Sequence, residues 1–128
     1  MAIRSVLVTG GAGYIGSHLV DRLVAREYTV TVLDNLEPQV HRTGAWPSYA
    51  NPRAVYVRGD VRDRAAFEPL VVASDAVVHF GAAVSVGQSM YQVDRYVDVN
   101  TRGTALLLDI LVNAKHHVEK VVVASSIG

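Results

Sequence analysis

Thr9-Gly10-Gly11-Ala12-Gly13-Tyr14-Ile15-Gly16 stands between two segments of different hydrophobic period. Before it, Ile3 to Thr9 (IRSVLVT) is a run of strand formers. After it, from Tyr14 to Arg26, Ile15, Leu19, Leu23 and Val24 recur at helical spacing, with Asp21, Arg22 and Arg26 on the solvent face. A strand, a glycine cluster and a helix, in that order, make a turn suited to a pyrophosphate. Gly10 permits the tight turn, and Gly13 lets backbone N–H groups approach an anion with no Cβ in the way. Gly16 lets the helix close on the strand. The helix N-terminus supplies unpaired donors and a partial positive charge. A plain strand-to-helix connection would use the same glycines; the flanking strand and helix favour the binding turn.

The alternation continues along the chain. Thr29 to Leu33 is a second strand, ending at Asp34-Asn35, and Ala54 to Val57 is a third, ending at Gly59-Asp60. Ala65 to Val72 reads as a short helix with Asp63 as N-cap. Ala76 to Phe80 is a fourth strand, ending at Gly81. A long helix lies within Val93 to Lys115, carried by Val97, Ala105, Leu108, Leu111 and Val112, and Val118 to Ala124 is a fifth strand. The strands are near-continuous in Val, Ile and Leu, as a parallel sheet covered by helices on both faces requires. Right-handed crossovers then give an α/β fold, a doubly wound parallel (Rossmann) sheet with five strands in order 3-2-1-4-5. Residues 1–128 read as one dinucleotide-binding domain. Asn35 to Arg53, with Pro38, Gly44, Pro47 and Pro52, has no helical period and reads as a functional or a mobile surface loop.

Composition narrows the function. Twelve Lys plus Arg balance twelve Asp plus Glu, with no basic block, which argues against a nucleic-acid face or a polybasic membrane anchor. No apolar run approaches the length of a membrane span. The N-terminus reaches its glycines too early for a signal peptide. Cys is absent, which removes disulfides, thiolate metal sites and cysteine nucleophiles; the cytoplasm is the default compartment. His18, His41 and the other histidines lack close acidic partners, so no metal site is expected.

Asp34 lies eighteen residues past Gly16. A carboxylate there accepts hydrogen bonds from both adenosine ribose hydroxyls and repels a 2′-phosphate, favouring NAD over NADP. No Arg follows at 35 or 36, which agrees. A capping or turn aspartate is the alternative. Asp60 with Val61 suits the adenine edge, although Gly-Asp is also common turn chemistry.

Six motifs then occur in order over essentially the whole chain: TGGAGYIGSH (Thr9–His18), LDNL (Leu33–Leu36), GDVRD (Gly59–Asp63), HFGAAVSVGQS (His79–Ser89), VNTRGT (Val99–Thr104) and VVVASS (Val121–Ser126). Together they resemble the extended short-chain dehydrogenase/reductase family, and within it the NAD-dependent nucleotide-sugar 4-epimerases of the dTDP-rhamnose or UDP-galactose type. VGQSMY (Val86–Tyr91) followed by RYVDVN (Arg95–Asn100) points to the former. Related 4,6-dehydratases and decarboxylases share much of this half. The resemblance assigns Gly10, Gly13, Tyr14, Ile15 and Gly16 to the pyrophosphate turn, Asp34 and Asn35 to the adenosine ribose, and Asp60 and Val61 to the adenine pocket. It places Phe80, Gly81, Ala82 and Ala83 beside the cofactor, with Asn100 as the helix asparagine near them. Ser125 and Ser126 match a serine pair, with the catalytic hydroxyl at Ser126. The UDP-galactose epimerase pattern has a Lys where this chain has Val84. His79 reads as a buried structural residue, and His116 and His117 as cations suiting the end of a helix. Met90 and Tyr91 border a substrate cleft or pack a helix start.

The resemblance implies a reaction by transient oxidation. A tyrosine takes the proton of the sugar 4-hydroxyl, hydride passes from C4 to NAD and returns to the other face, and Ser126 polarises O4. The family uses a Tyr-x-x-x-Lys pair. Here Tyr14, Tyr28, Tyr49, Tyr56, Tyr91 and Tyr96 are followed four residues on by His18, Val32, Arg53, Asp60, Arg95 and Asn100. The expectation is an NAD-binding part cut short before that pair and before the substrate domain, and so catalytically incomplete. A non-catalytic NAD-binding module and an interaction half with an exposed sheet edge are the alternatives. Homo-oligomers are expected through the helix within Val93–Lys115, and a nucleotide sugar is the substrate expected of the complete enzyme.

Overall fold

The computed structural model describes residues 2–126. Five strands, β1 (Ser5–Thr9), β2 (Thr29–Asp34), β3 (Val55–Arg58), β4 (Ala76–His79) and β5 (Lys120–Val123), pair in parallel in the order β3-β2-β1-β4-β5. The helices between them are α1 (Tyr14–Ala25), α2 (Arg64–Val72), α3 (Val86–Ser89), α4 (Val93–Tyr96) and α5 (Arg102–Asn113). The strand order is the one the motif order predicts, and the boundaries shift by a few residues at most.

Alternation along each strand explains why both sheet faces are apolar. Leu7, Leu33 and Val77 face one side, where they pack with Phe67 and Val71 of α2 and Leu107 and Ile110 of α5. Val6, Val8, Val30 and Val32 face the other and pack with Val20 and Val24 of α1. Phe67, Leu7 and Leu107 are fully buried, each contributing about 1.5–3 kcal/mol of apolar transfer. Asp63 caps α2 as expected, its side chain accepting from the Ala65 N–H at 3.1 Å.

Besides the unpredicted short helix α3, two features depart from the sequence reading. The long helix is interrupted by one turn of π-helix, Val97–Thr101, between α4 and α5. Residues 35–53 are pinned. Tyr49 Oη donates to the Ala12 carbonyl at 2.9 Å, Asn51 Nδ2 donates to Asp21 of α1 at 2.9 Å, and Trp46 packs on Tyr56 with ring centroids 5.1 Å apart. An aperiodic sequence here makes a fitted loop, held by side chains against α1 and β3.

Candidate functional site

The glycine turn forms where β1 runs into α1, and its glycines have different jobs. Gly10 has a φ of 70°, and a Cβ on it would sit 2.8 Å from the Phe80 carbonyl carbon, against the chain leaving β4. A Cβ on Gly16 would overlap the Gly10 carbonyl oxygen. Those two residues are required by the protein's own packing. At Gly13 the only nearby atom is the Gly10 oxygen, at 3.3 Å. Its remaining side is open. Gly13 is also the N-cap of α1 and offers no side-chain cap, so the first-turn N–H groups of Tyr14, Ile15 and Gly16 remain for a ligand. Gly11 has a role that sequence reasoning missed: a Cβ there would meet both Val32 methyls at 2.8 Å.

Asp34 ends β2 and is buried. Its Oδ2 accepts from the Ala12 N–H at 3.0 Å and its Oδ1 from the Leu36 N–H at 2.9 Å. The carboxylate thus braces the glycine turn, and its four lone-pair positions leave acceptor capacity beyond these two bonds. With Tyr49 on the Ala12 carbonyl, the Ala12 residue is held through both its N–H and its C=O.

Asp60 is more heavily engaged. Arg62 forks onto both its oxygens at 2.9 and 2.8 Å, and Asn35 Nδ2 donates to it at 3.3 Å. These charge-assisted bonds, led by the Arg62 guanidinium, hold its carboxyl at about 2, well below the usual range. Arg62 also reaches Asp98 of the π-turn at 2.6 Å, and Arg102 lies 3.6 Å from the other Asp98 oxygen. A chain of alternating charges therefore joins the end of β3 to α5. Nothing in the sequence pairs Arg62 with Asp98, thirty-six residues on.

On the other wall, Thr9 organises the exit from β4. Its hydroxyl oxygen accepts from the Phe80 N–H at 3.0 Å and the Gly81 N–H at 2.9 Å, and lies 2.8 Å from His79 Nδ1. With two N–H groups donating to it, the hydroxyl gives its one proton to Nδ1. His79 is buried against Phe67 at 6.1 Å, and burial lowers its pKa. It is a satisfied structural residue, as its position in the strand predicts. Asn100, in the π-turn, receives the Ala83 N–H at 2.8 Å and donates to the Ala83 carbonyl at 3.1 Å. The wider turn lets one side chain hold both polar groups of Ala83.

Together these elements enclose a cleft of about 510 Å³. Gly10, Gly13, Tyr14, Ile15, Gly16, Asp34, Asn35, Asp60, Val61, Phe80, Gly81, Ala82 and Ala83 all line it. Ser125 and Ser126 do not; Ala124, just before them, does, and both serines are exposed. Glu37, Val40 and His41, which lie outside every motif, also line it, as do Val84, Arg95 and Val99, which lie within motifs but had no cofactor role assigned. Met90 and Tyr91 are exposed and lie outside the lining. His116 lies beyond the end of α5, where Nδ1 accepts from the Val118 N–H at 3.0 Å and Nε2 meets the Leu111 carbonyl at 2.8 Å. Both ring nitrogens thus serve the helix end through hydrogen bonds.

A doubly wound parallel sheet with a glycine turn, a carboxylate at the end of β2 and an open cleft over the carboxyl ends of its strands defines a dinucleotide-binding class of protein. The sequence profile of the NAD dependent epimerase/dehydratase family matches residues 6–128, and the chain belongs to that family. It is 36% identical over 125 residues to a dTDP-L-rhamnose 4-epimerase of Burkholderia thailandensis, covering 96% of this chain and 34% of that protein. It is 37% identical over 120 residues to a dTDP-glucose 4,6-dehydratase of an Actinoplanes species, covering 88% of this chain and 37% of that one. Its fold matches a UDP-glucose 4-epimerase of Stenotrophomonas maltophila, solved with bound NAD and formylated UDP-arabinopyranose, at a TM-score of 0.82 and 35% identity over 98% of this chain and 38% of that one. The chain spans about a third of the length of the curated relatives it matches. Among the described residues no helix is long and apolar enough to cross a membrane.

Proposed function

We propose that the chain binds NAD and serves as the cofactor-binding part of a nucleotide-sugar 4-epimerase. The observation that carries this reading is Gly13. Only the Gly10 oxygen lies near a Cβ built on it, and Gly13 lines the cleft together with Tyr14, Ile15, Gly16 and Asp34. The pyrophosphate would rest on the N–H groups of Tyr14, Ile15 and Gly16, and the adenosine ribose on Asp34 with Asn35 beside it. Val61 and Asp60 would flank the adenine. The backbone of Phe80, Gly81, Ala82 and Ala83 forms the wall along which the dinucleotide runs, held in place by Thr9 and Asn100. Bound NAD supplies the hydride acceptor for C4 of a sugar. Ser126, with Ser125 beside it, would donate a hydrogen bond to O4.

The chemistry also needs a group to take the 4-hydroxyl proton, and no tyrosine in the 128 residues stands four before a lysine. General-base assistance is worth roughly 10²- to 10⁴-fold. The 128-residue chain is therefore expected to bind NAD without epimerising nucleotide sugars, with the cytoplasm as its compartment and self-association through the α4–α5 region. The 4,6-dehydratase reading is the runner-up, supported by the 37% identity to the Actinoplanes protein. Both reactions begin with oxidation at C4, so the cofactor assignment is common to them.

Calorimetry tests the cofactor reading. NAD should bind, and Gly13→Val should abolish binding while leaving the fold intact, because only the Gly10 oxygen lies near a Cβ at that position. Unchanged affinity in that variant would overturn the turn assignment. NADP should bind at least about tenfold more weakly, because its 2′-phosphate meets the Asp34 carboxylate.

A further inference from the structure

The charge inventory of the cleft leaves one group without a role. Among the described residues, the lining holds three carboxylates, Asp34, Glu37 and Asp60, and a single guanidinium, that of Arg95. Asp60 is matched by Arg62. A diphosphate entering the cleft adds two negative charges where Asp34 and Glu37 already stand, and like charges repel more strongly as water is displaced. Backbone donors at α1 offset part of that repulsion.

Arg95 is held in a way that leaves it available. Its Nη2 lies 3.2 Å from Glu37 Oε1, and its Nη1 donates to Gln92 at 3.0 Å and to Gln88 at 3.4 Å. The side chains of Arg95 and Glu37 are 34% and 40% exposed. An ion pair that open to water contributes little, so a stronger anion displaces it. A diphosphate is such an anion, because its oxygens match the planar fork of a guanidinium two at a time. A neighbouring cavity of about 200 Å³ shares Glu37, Ala83, Val84 and Arg95 with the cleft, giving the side chain room to turn.

We propose that Arg95 is a binding residue for the diphosphate bridge of a nucleotide held in this cleft, exchanging Glu37 for phosphate oxygens when the ligand arrives. Glu37 then acts as a built-in competitor for the same guanidinium. This rests on the reading of the cleft as a nucleotide site given above.

The two ends of one ion pair give opposite signs, which separates this role from a structural tie. The 128-residue chain and its E37Q, R95Q and R95K variants are titrated with NAD, ADP-ribose, UDP-glucose and adenosine, after thermal melts confirm folding. R95Q should weaken NAD and ADP-ribose about tenfold, E37Q should tighten them two- to fivefold, and adenosine, which has no phosphate, should be unaffected by either. R95K should recover part of the loss, since lysine keeps the charge and loses the fork. A loss confined to UDP-glucose would support the same role for Arg95 on the diphosphate of a sugar nucleotide. Parallel weakening of all four ligands in E37Q and R95Q would overturn the proposal, as would variants that bind NAD, ADP-ribose and UDP-glucose like the parent. If the parent chain binds none of these three, the nucleotide reading itself falls and takes this proposal with it.

Discussion

Thr9 shows how much one hydroxyl can organise. It sits at the last position of β1, yet its partners are seventy and more residues away, on the chain leaving β4. Thr9→Val keeps the shape and removes the acceptor. The Phe80 N–H still has the Thr9 carbonyl at 3.1 Å, whereas Gly81 loses its partner and His79 loses its donor. The expected cost is about 1–3 kcal/mol in denaturant unfolding. Acidification should act through two groups. The His79 pKa is lowered by burial, so the unfolded chain takes up its proton first. That stability is fully present above about 6.5 and is lost as pH falls from there through the folded value. Asp60, held at about 2, contributes stability present above its ordinary carboxylate value and lost as pH falls towards 2. Melting temperatures across pH 2–8 should show both declines, and Arg62→Met should shrink the lower one. At this scale, the need for a tight turn at Gly10 and for close packing at Gly16 was legible, because a local spacing carries both. Arg62–Asp98 and Thr9–His79 were not, because sequence distance hides such pairs.

Among the elements, hydrophobic period located every strand and the three longest helices, since the core selects those residues directly. It missed the four-residue helix α3, whose residues are all at least partly exposed and leave no buried stripe. It also ran through the π-turn, because one extra residue in a turn shifts a 3.6-residue stripe without erasing it. That turn is where Asn100 reaches Ala83. Asn100→Ala should destabilise the chain by about 1–3 kcal/mol and weaken NAD binding, because both polar groups of Ala83 lose their partner. Asn100→Asp keeps the acceptor for the Ala83 N–H and should lie between. Urea unfolding and calorimetry on the two variants check the order. The aperiodic loop could not be placed from sequence for a similar reason, since its anchors at Tyr49, Asn51 and Trp46 depend on tertiary contact.

For the molecule as a whole, one edge of the sheet is unprotected among the described residues. Every residue of β5 is exposed, and Val121, Val122 and Val123 are 37–48% accessible. Val93, Val97, Leu108 and Val112 are also exposed along the α4–α5 region. Apolar surface and open strand edges of this kind promote association. The formal net charge of zero at pH 7 supplies no repulsion to oppose it. Sedimentation from low to high micromolar concentration should show mass rising with concentration. A monomer throughout would mean that the edge is shielded by something exposure alone does not reveal. Val122→Lys should suppress association if β5 pairs with β5, and Leu108→Glu if the helices do.

The pairing of β1 with β4 also sets a schedule for biosynthesis. β1 can join β2 almost as soon as both leave the ribosome, but the hydroxyl of Thr9 waits for a histidine seventy positions later. At roughly 5–20 residues per second, that interval is on the order of 4–14 s. Throughout it the nascent chain carries its glycine turn, the carboxylate behind it and a half-built sheet, with no opposite wall. Nucleotide capture therefore waits until the fourth strand slots in beside the first.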